Sequence, residues 1–268
     1  MTKNGSPLKN HQSPLLSVDA SIRWVMLIFF CSGMCSLIDE VVWFRLIKLT
    51  LGNTVYASSV VVSVFMGGLA LGALVMARRA DRIERPLLLY ALLEIAVSLV
   101  TIALPVALGA ADGIYRLLFV KLQSSPQATL AVQVFLSSAI LLVPTMLMGS
   151  TLPLLGRFVT TLQDQIGSRV GRLYGINTLG AATGCFLAGF LLMRTIGVIP
   201  TLYVAAFVNV LVALAGWLLS RRSEASSQTG APASSAKSMA APATADGVRW
   251  LLGSMFFASG CISIGCWH

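Results

Sequence analysis

Long apolar runs separated by short polar segments constrain this chain more than any other feature. Six runs lie at about 24–43, 55–77, 86–109, 128–148, 173–193 and 198–219, and each reaches the ~20 residues that cross a hydrocarbon core. Charged residues make up only 11% of the chain, against roughly a quarter in soluble domains, which is too few for a water-facing surface. The pattern predicts an all-α, polytopic bundle of transmembrane helices in contact with the lipid bilayer.

The same runs divide the chain into four segments. Residues 1–22 are polar and predict an N-terminal tail, 23–222 hold the six-span bundle, and the Ser-, Ala- and Pro-rich stretch 223–247 predicts a flexible linker. In segment 248–268, Arg249-Trp250 and Phe256-Phe257 repeat the Arg23-Trp24 and Phe29-Phe30 of the first run. We therefore expect an incomplete seventh span, the truncated start of a second transmembrane repeat.

The basic residues predict the orientation of the spans. With a cytoplasmic N-terminus, 14 of the 19 lysines and arginines fall on the inner side, as the positive-inside rule requires. These residues flank the spans, and no basic cluster is interleaved with aromatic residues. We therefore expect a multi-pass membrane protein with its N-terminus in the cytoplasm and no nucleic-acid partner.

Soluble-enzyme motifs are missing from the sequence. It contains neither a Walker-type phosphate loop nor a G-x-S-x-G nucleophile elbow, and its only histidines are His11 and His268. The five cysteines form no C-x-x-C pair, which disfavours a zinc site or a redox dithiol. We predict no catalytic residue, no metal and no cofactor in this chain.

Glycines recur at four-residue spacing within two of the runs. The pairs are Gly68/Gly72 and Gly180/Gly184, and Gly189 lies about one turn further on. Such spacing lets helix backbones approach closely in lipid, so helix packing is the favoured interpretation. The alternative is a gap through which a substrate passes.

Three carboxylates lie within or at the edge of apolar runs: Asp39, Glu40 and Glu94. Ionisable groups at such depth are costly and mark functional sites by default. Glu40 shares a helical face with Trp43 and Phe44, three and four residues further on.

Tyr90 and Glu94 share a face in the same way. A carboxylate beside an aromatic ring suits an organic cation, through ion pairing and cation–π contact. The alternative for Glu40 is an interfacial position in which it pairs with Arg45 or reaches toward the headgroups.

A short loop of mixed charge, 78–85, follows the second run. Asp81, Arg82 and Arg85 predict a cytoplasmic gate built from ion pairs. Anchoring at the membrane interface and control of topology are the alternative explanation.

Several stretches taken together resemble one known family, the bacterial fused major-facilitator-like/spermidine-synthase-like integral membrane proteins. The resemblance covers the membrane domain of that family, at about residues 24–220. It is carried by LIDEVVWFRL at 37–46, LGNTVYA at 51–57, FMGGLALG at 65–72, ADR at 80–82, PTMLMGSTLP at 144–153 and VGRLYGINTLGA at 170–181.

The resemblance implies a major-facilitator-like bundle in the bacterial inner (plasma) membrane. In that family a soluble aminopropyltransferase-like domain of Rossmann type follows the membrane part. Its Gly-rich nucleotide loop and catalytic aspartates have no counterpart in this chain, so the synthase activity is not carried over. Ala80, Asp81 and Arg82 match the major-facilitator signature between helices two and three, whereas Ala77 and Glu84 replace usual glycines.

Two functions are compatible with these features. The first is a transporter-like module that binds or moves a small cationic solute such as a polyamine, with Glu40, Trp43, Tyr90, Glu94 and Asn177 as its binding residues. The second is a non-catalytic membrane anchor or scaffold for a downstream aminopropyltransferase-like domain, or a truncated fragment of such a fusion.

Overall fold

The computed structural model describes residues 14–51, 55–122, 126–161 and 166–229, and these residues are almost entirely helical. Six helices are long and apolar enough to cross a membrane, which confirms the predicted number of spans. In chain order they are α1 Pro14–Leu51, α2 Val55–Arg79, α3 Pro86–Leu122, α4 Pro126–Thr161, α5 Ile166–Phe186 and α6 Val198–Thr229. A π-helical segment, Leu187–Leu192, and a last turn, Met193–Thr195, extend α5.

The helices are longer than the apolar runs that predict them. Helix α3 continues to Leu122 and α4 to Thr161, through much of the segments 110–127 and 156–172 that the sequence predicts as loops. Helix α6 continues to Thr229, about two turns into the predicted linker. Leu, Ala, Arg and Gln in these segments favour helix, so hydropathy marks the membrane-embedded part of each helix and not its ends.

Parts of the predicted segments lie outside the described residues. Helix α1 begins at Pro14, within the predicted tail. The first 13 residues, the rest of the linker and the predicted seventh span at 248–268 are not described.

Prolines begin three of the helices, α1, α3 and α4, and also lie inside α3 and α4. Pro86 opens α3, a position at which the missing N–H of proline costs no hydrogen bond within the helix. Pro144 and Pro153 lie inside α4 and do not end it. Hydroxyl groups in the same stretch donate to carbonyls of their own helix: Thr145 to Leu141 at 2.8 Å. Such bonds stabilise helix backbone that proline disturbs within a membrane.

The helices pack mainly with partners that are distant in the chain. Helix α2 packs on α4, α1 packs on α5 and α6, and α3 packs on α4 and α6. The same set of contacts results if α1 is exchanged with α4, α2 with α5 and α3 with α6. Helices three apart cross a membrane in opposite directions, so the bundle is an inverted repeat of two three-helix halves.

Glycine backbones bring α2 and α4 into contact. A Cβ on Gly72 would overlap the Met146 backbone, and a Cβ on Gly149 would overlap that of Leu69. The two contact residues are three positions apart on each helix, so both contacts belong to one close crossing.

The crossing of α1 and α5 is built in the same way. A Cβ on Gly180 would overlap the Phe30 backbone, and a Cβ on Gly33 would overlap Asn177. The spacing on each helix is again three residues. The inverted repeat relates the α2–α4 crossing to the α1–α5 crossing. Their matching glycine contacts therefore support the symmetry separately from the set of helix pairs that are in contact.

The predicted glycine pairs therefore act in packing. Gly68 and Gly184 lie against Thr145 and Met34, beside Gly72 and Gly180. Packing is thus confirmed for Gly68/Gly72 and Gly180/Gly184. Gly189 is different, because a Cβ there would meet no atom within 4 Å.

Candidate functional site

Two hydrogen bonds join α1 and α3 near the middle of their spans. The Ser32 hydroxyl donates to Glu94 Oε1 at 2.6 Å, and the Thr101 hydroxyl donates to Asp39 Oδ2 at 3.1 Å. Seven residues separate the two levels on each helix, which places them about 10 Å apart along two parallel helices. We call these four residues the polar seam.

Helix α6 closes the polar seam from a third side. The Asn209 amide approaches Asp39 Oδ2 at 3.5 Å, which is long for a hydrogen bond. Between the two levels, the Ser98 hydroxyl of α3 donates to the Ala206 carbonyl at 2.9 Å. The seam therefore lies where three helices meet, and each of them contributes polar groups.

Both carboxylates of the seam are removed from solvent. Asp39 is 0% exposed and Glu94 is 2% exposed. Their hydrogen-bond donors are neutral hydroxyl and amide groups, and neither carboxylate has an ion pair within the part of the chain that the structure describes. A buried charge without a counter-ion is strongly unfavourable, so each carboxylate must be neutralised, by a proton or by another cation.

Three buried polar atoms next to the seam lack standard hydrogen bonds. They are Oδ1 of Asp39, Nε1 of Trp43 and the hydroxyl oxygen of Tyr90. The Tyr90 hydroxyl lies beside Ser32 and Glu94, although it forms no hydrogen bond of ordinary geometry with them. Each such atom costs about 1–3 kcal/mol when it stays unpaired, so a bound polar group would lower the free energy here.

Two apolar clusters enclose the polar seam along the helix axes. One cluster lies toward the N-terminal ends of α1 and α3 and includes Phe29 and Leu87. The other lies toward their C-terminal ends and includes Trp43, Ile47 and Leu108. A polar group in the seam is therefore shielded from both membrane surfaces, which strengthens its electrostatic interactions.

The structure brings together part of the predicted site. Tyr90, Glu94 and Trp43 are all buried, and Tyr90 and Glu94 lie side by side as the helical spacing predicts. Trp43 packs in the apolar cluster with Ile47. Asp39, which the sequence marks as a carboxylate in an apolar run but does not include among the binding residues, is also a member of the seam.

Glu40 lies apart from these residues. It follows Asp39 directly, so it points to a different side of α1, where it is half-buried. The Lys48 ammonium lies 4.7 Å from the centroid of the Phe44 ring, so that ring already has a cationic neighbour. Arg45 is exposed, and the structure shows no ion pair between it and Glu40.

Asn177 lies at the crossing of α1 and α5. It packs against Gly33 and is half-buried. It forms no hydrogen bond with Tyr90 or Glu94 in the described residues. Its position in the structure is that of a packing residue, and its role in binding stays a prediction.

The predicted gate residues lie just after α2. Ala80–Arg82 form a single 3-10 turn, closed by a 3.1 Å hydrogen bond from the Ile83 N–H to the Ala80 carbonyl. Asp81, Arg82 and Arg85 are exposed. Asp81 forms neither a helix cap nor an ion pair in the described residues, and the gating role stays a prediction.

Two seam residues, Ser32 and Thr101, are not predicted from the sequence, and neither is the neighbouring Asn209. Single hydroxyl residues are common in membrane spans, and they usually bond to their own helix, as Thr145 does. Asn209 could have been predicted as a site residue, because it is a polar amide in the middle of the apolar run 198–219. Its partner on α1 could not be identified without the tertiary structure.

No group of three or more potential metal ligands occurs among the described residues. Cys31, Cys35 and Cys185 are free thiols. The predicted absence of a metal or cofactor stays a prediction. No protein-family model, curated protein or solved structure matches this chain.

Proposed function

We propose that this protein is a transporter-like module of the bacterial inner membrane that binds or moves a small organic cation such as a polyamine. The observation that carries the proposal is Glu94, a carboxylate buried at mid-span without an ion-pair partner in the described residues. An ammonium group would neutralise it and would also offer a donor to the Tyr90 hydroxyl.

The architecture supports this proposal. Transporters are often built from inverted repeats, with their binding sites near the bilayer midplane at the junction of the repeats. The polar seam occupies such a position, at mid-span, where α6 of one half meets α1 and α3 of the other. A major-facilitator-like bundle with a cytoplasmic N-terminus is the form we propose for it.

A scaffold function is less well supported by this site. An anchor for a soluble aminopropyltransferase-like domain needs only stable helices, and two buried carboxylates reduce the stability of a bundle. Such a cost is expected where the groups bind something. Binding of a cation therefore separates the two functions.

The test is equilibrium binding of radiolabelled spermidine to the purified full chain in detergent. We expect saturable binding by the wild type and at least a roughly thirtyfold loss of affinity in Glu94→Gln, since truncating a buried charge pair costs more than about 2 kcal/mol. Glu84→Gln is the matched control, because Glu84 is an exposed acid between α2 and α3. Glu40→Gln then shows whether the half-buried carboxylate contributes.

Two results would overturn the proposal. One is a folded wild type that binds neither spermidine nor putrescine at millimolar concentration. The other is unchanged affinity in a Glu94→Gln variant whose circular dichroism and elution volume match the wild type. Either result would favour the scaffold function.

A further inference from the structure

We propose that Asp39, with Thr101 and Asn209, forms a binding site for a small monovalent cation, either a proton or a sodium ion. This site lies at the second level of the polar seam, seven residues along α1 and α3 from the level of Ser32 and Glu94. It goes beyond the proposed transport of an organic cation and does not depend on it.

The hydrogen bonding of Asp39 is incomplete. Its Oδ2 atom accepts the Thr101 hydroxyl at 3.1 Å and faces the Asn209 amide at 3.5 Å. Its Oδ1 atom is buried and has no partner. The free oxygen of this buried carboxylate can therefore accept a further donor or contact a cation.

The charges around Asp39 do not supply that group. On α1 the thiol of Cys35 interacts with Asp39, whereas Glu40 points to another side of the helix, and on α3 the interacting group is Glu94. Helix α6 contributes the neutral Asn209. Glu94 adds a second negative charge, so the surroundings repel an unneutralised Asp39. Only a bound cation can compensate this charge.

The surroundings also limit the size of the cation. Thr101 is fully buried, Asn209 nearly so, and Trp43 covers the next turn of α1. An organic cation would have to separate these helices, whereas a proton needs no space and a sodium ion very little. The oxygens of Asp39, Thr101 and a flipped Asn209 amide are the hard ligands that sodium prefers.

The test uses the purified full chain in detergent and no organic solute. The sodium arm measures the thermal unfolding midpoint as NaCl replaces choline chloride at constant ionic strength. The proton arm records the infrared band of protonated carboxyl groups from low to high pH and takes the difference between the wild type and Asp39→Asn, because the other acids of the chain contribute to both spectra. We expect a sodium-dependent midpoint that Asp39→Asn loses, or an Asp39 band that titrates in this difference spectrum.

Three further variants keep the test decisive. Glu84→Gln removes an exposed acid and should keep the wild-type signal. If Asp39→Asn does not fold, Thr101→Val replaces it, with Thr101→Ser as the variant that retains the hydroxyl. In the sodium case, Thr101→Val should weaken the apparent affinity at least roughly tenfold, because it removes both a ligand oxygen and the hydroxyl that orients Asp39, and Thr101→Ser should restore it. In the proton case, Thr101→Val should shift the titration of the band and Thr101→Ser should not.

The proposal is overturned if the wild type gives neither signal. It is also overturned if folded Asp39→Asn, or Thr101→Val where that variant replaces it, behaves as the wild type does in both arms. Because no organic cation is present in either arm, a failure to bind spermidine leaves this test unaffected, and the two proposals can fail separately.

Discussion

Replacement of Gly72 by alanine tests whether the close crossing of α2 and α4 stabilises the bundle. The added Cβ would overlap backbone atoms of Met146. Backbone atoms cannot move aside by a change of rotamer, as a side chain can. The two helices must therefore separate, and overpacking of this kind costs about 1–3 kcal/mol. Alanine also has a higher helix propensity than glycine, by about 1 kcal/mol, which works in the opposite direction.

Gly67→Ala is the matched control, because it removes the propensity term from the comparison. Gly67 lies on the same helix, and a Cβ there would meet no atom within 4 Å. We expect Gly72→Ala to be less stable than Gly67→Ala by about 1–3 kcal/mol, the overpacking cost alone. The measurement is SDS-induced equilibrium unfolding followed by far-UV circular dichroism.

Equal stability of the two variants would refute the packing argument for this crossing. The inverted repeat extends the test to α5. Gly180→Ala should behave as Gly72→Ala does, because its Cβ would overlap the Phe30 backbone, and Gly175→Ala should behave as Gly67→Ala does. A large difference between the two crossings would contradict their equivalence.

Three other substitutions test separate parts of the structure by the same unfolding assay. Ser32→Ala removes the hydrogen bond to Glu94 and should destabilise the protein by about 0.6–1.7 kcal/mol, the range for polar contacts between membrane helices. Trp43→Phe leaves a cavity but also removes a buried N–H that has no partner, and these effects oppose each other, so we expect a loss below about 1 kcal/mol; a larger loss would contradict this balance. Gly197→Ala forces a side chain into a turn with φ of 91° and should cost about 1–2 kcal/mol, whereas an unchanged midpoint would contradict the turn geometry.

The location of the polar seam has a consequence for any transport mechanism. Each half of the inverted repeat contributes to it, since α1 and α3 belong to one half and α6 to the other. A rotation of one half against the other would change the distance between Asn209 and Asp39 while Thr101 stays in place. The site is thus positioned to respond to motion between the halves.

Much of the candidate site could be predicted from local spacing. Tyr90 and Glu94 are four residues apart on one helix, so their proximity follows from helix geometry alone. The cost of a charge in lipid likewise marks Asp39 by its place in an apolar run. Ser32 and Thr101 could not be predicted, because their partners lie 62 residues away and hydroxyl residues occur throughout the spans.

Hydropathy along the chain was sufficient to predict six membrane-spanning helices, because about twenty apolar residues in lipid must satisfy their backbone hydrogen bonds within the segment. The glycine spacing likewise marked Gly72 and Gly180 as sites of close packing. Which helices meet at those glycines was known only from the packed bundle. Length and hydropathy do not distinguish one span from another, so they do not show which spans pack together. The packing partners are determined by the close fit of glycine surfaces and by a few buried hydrogen bonds. The same packing joined Asp39 to Thr101 and Asn209 and left Glu40 on another side of α1.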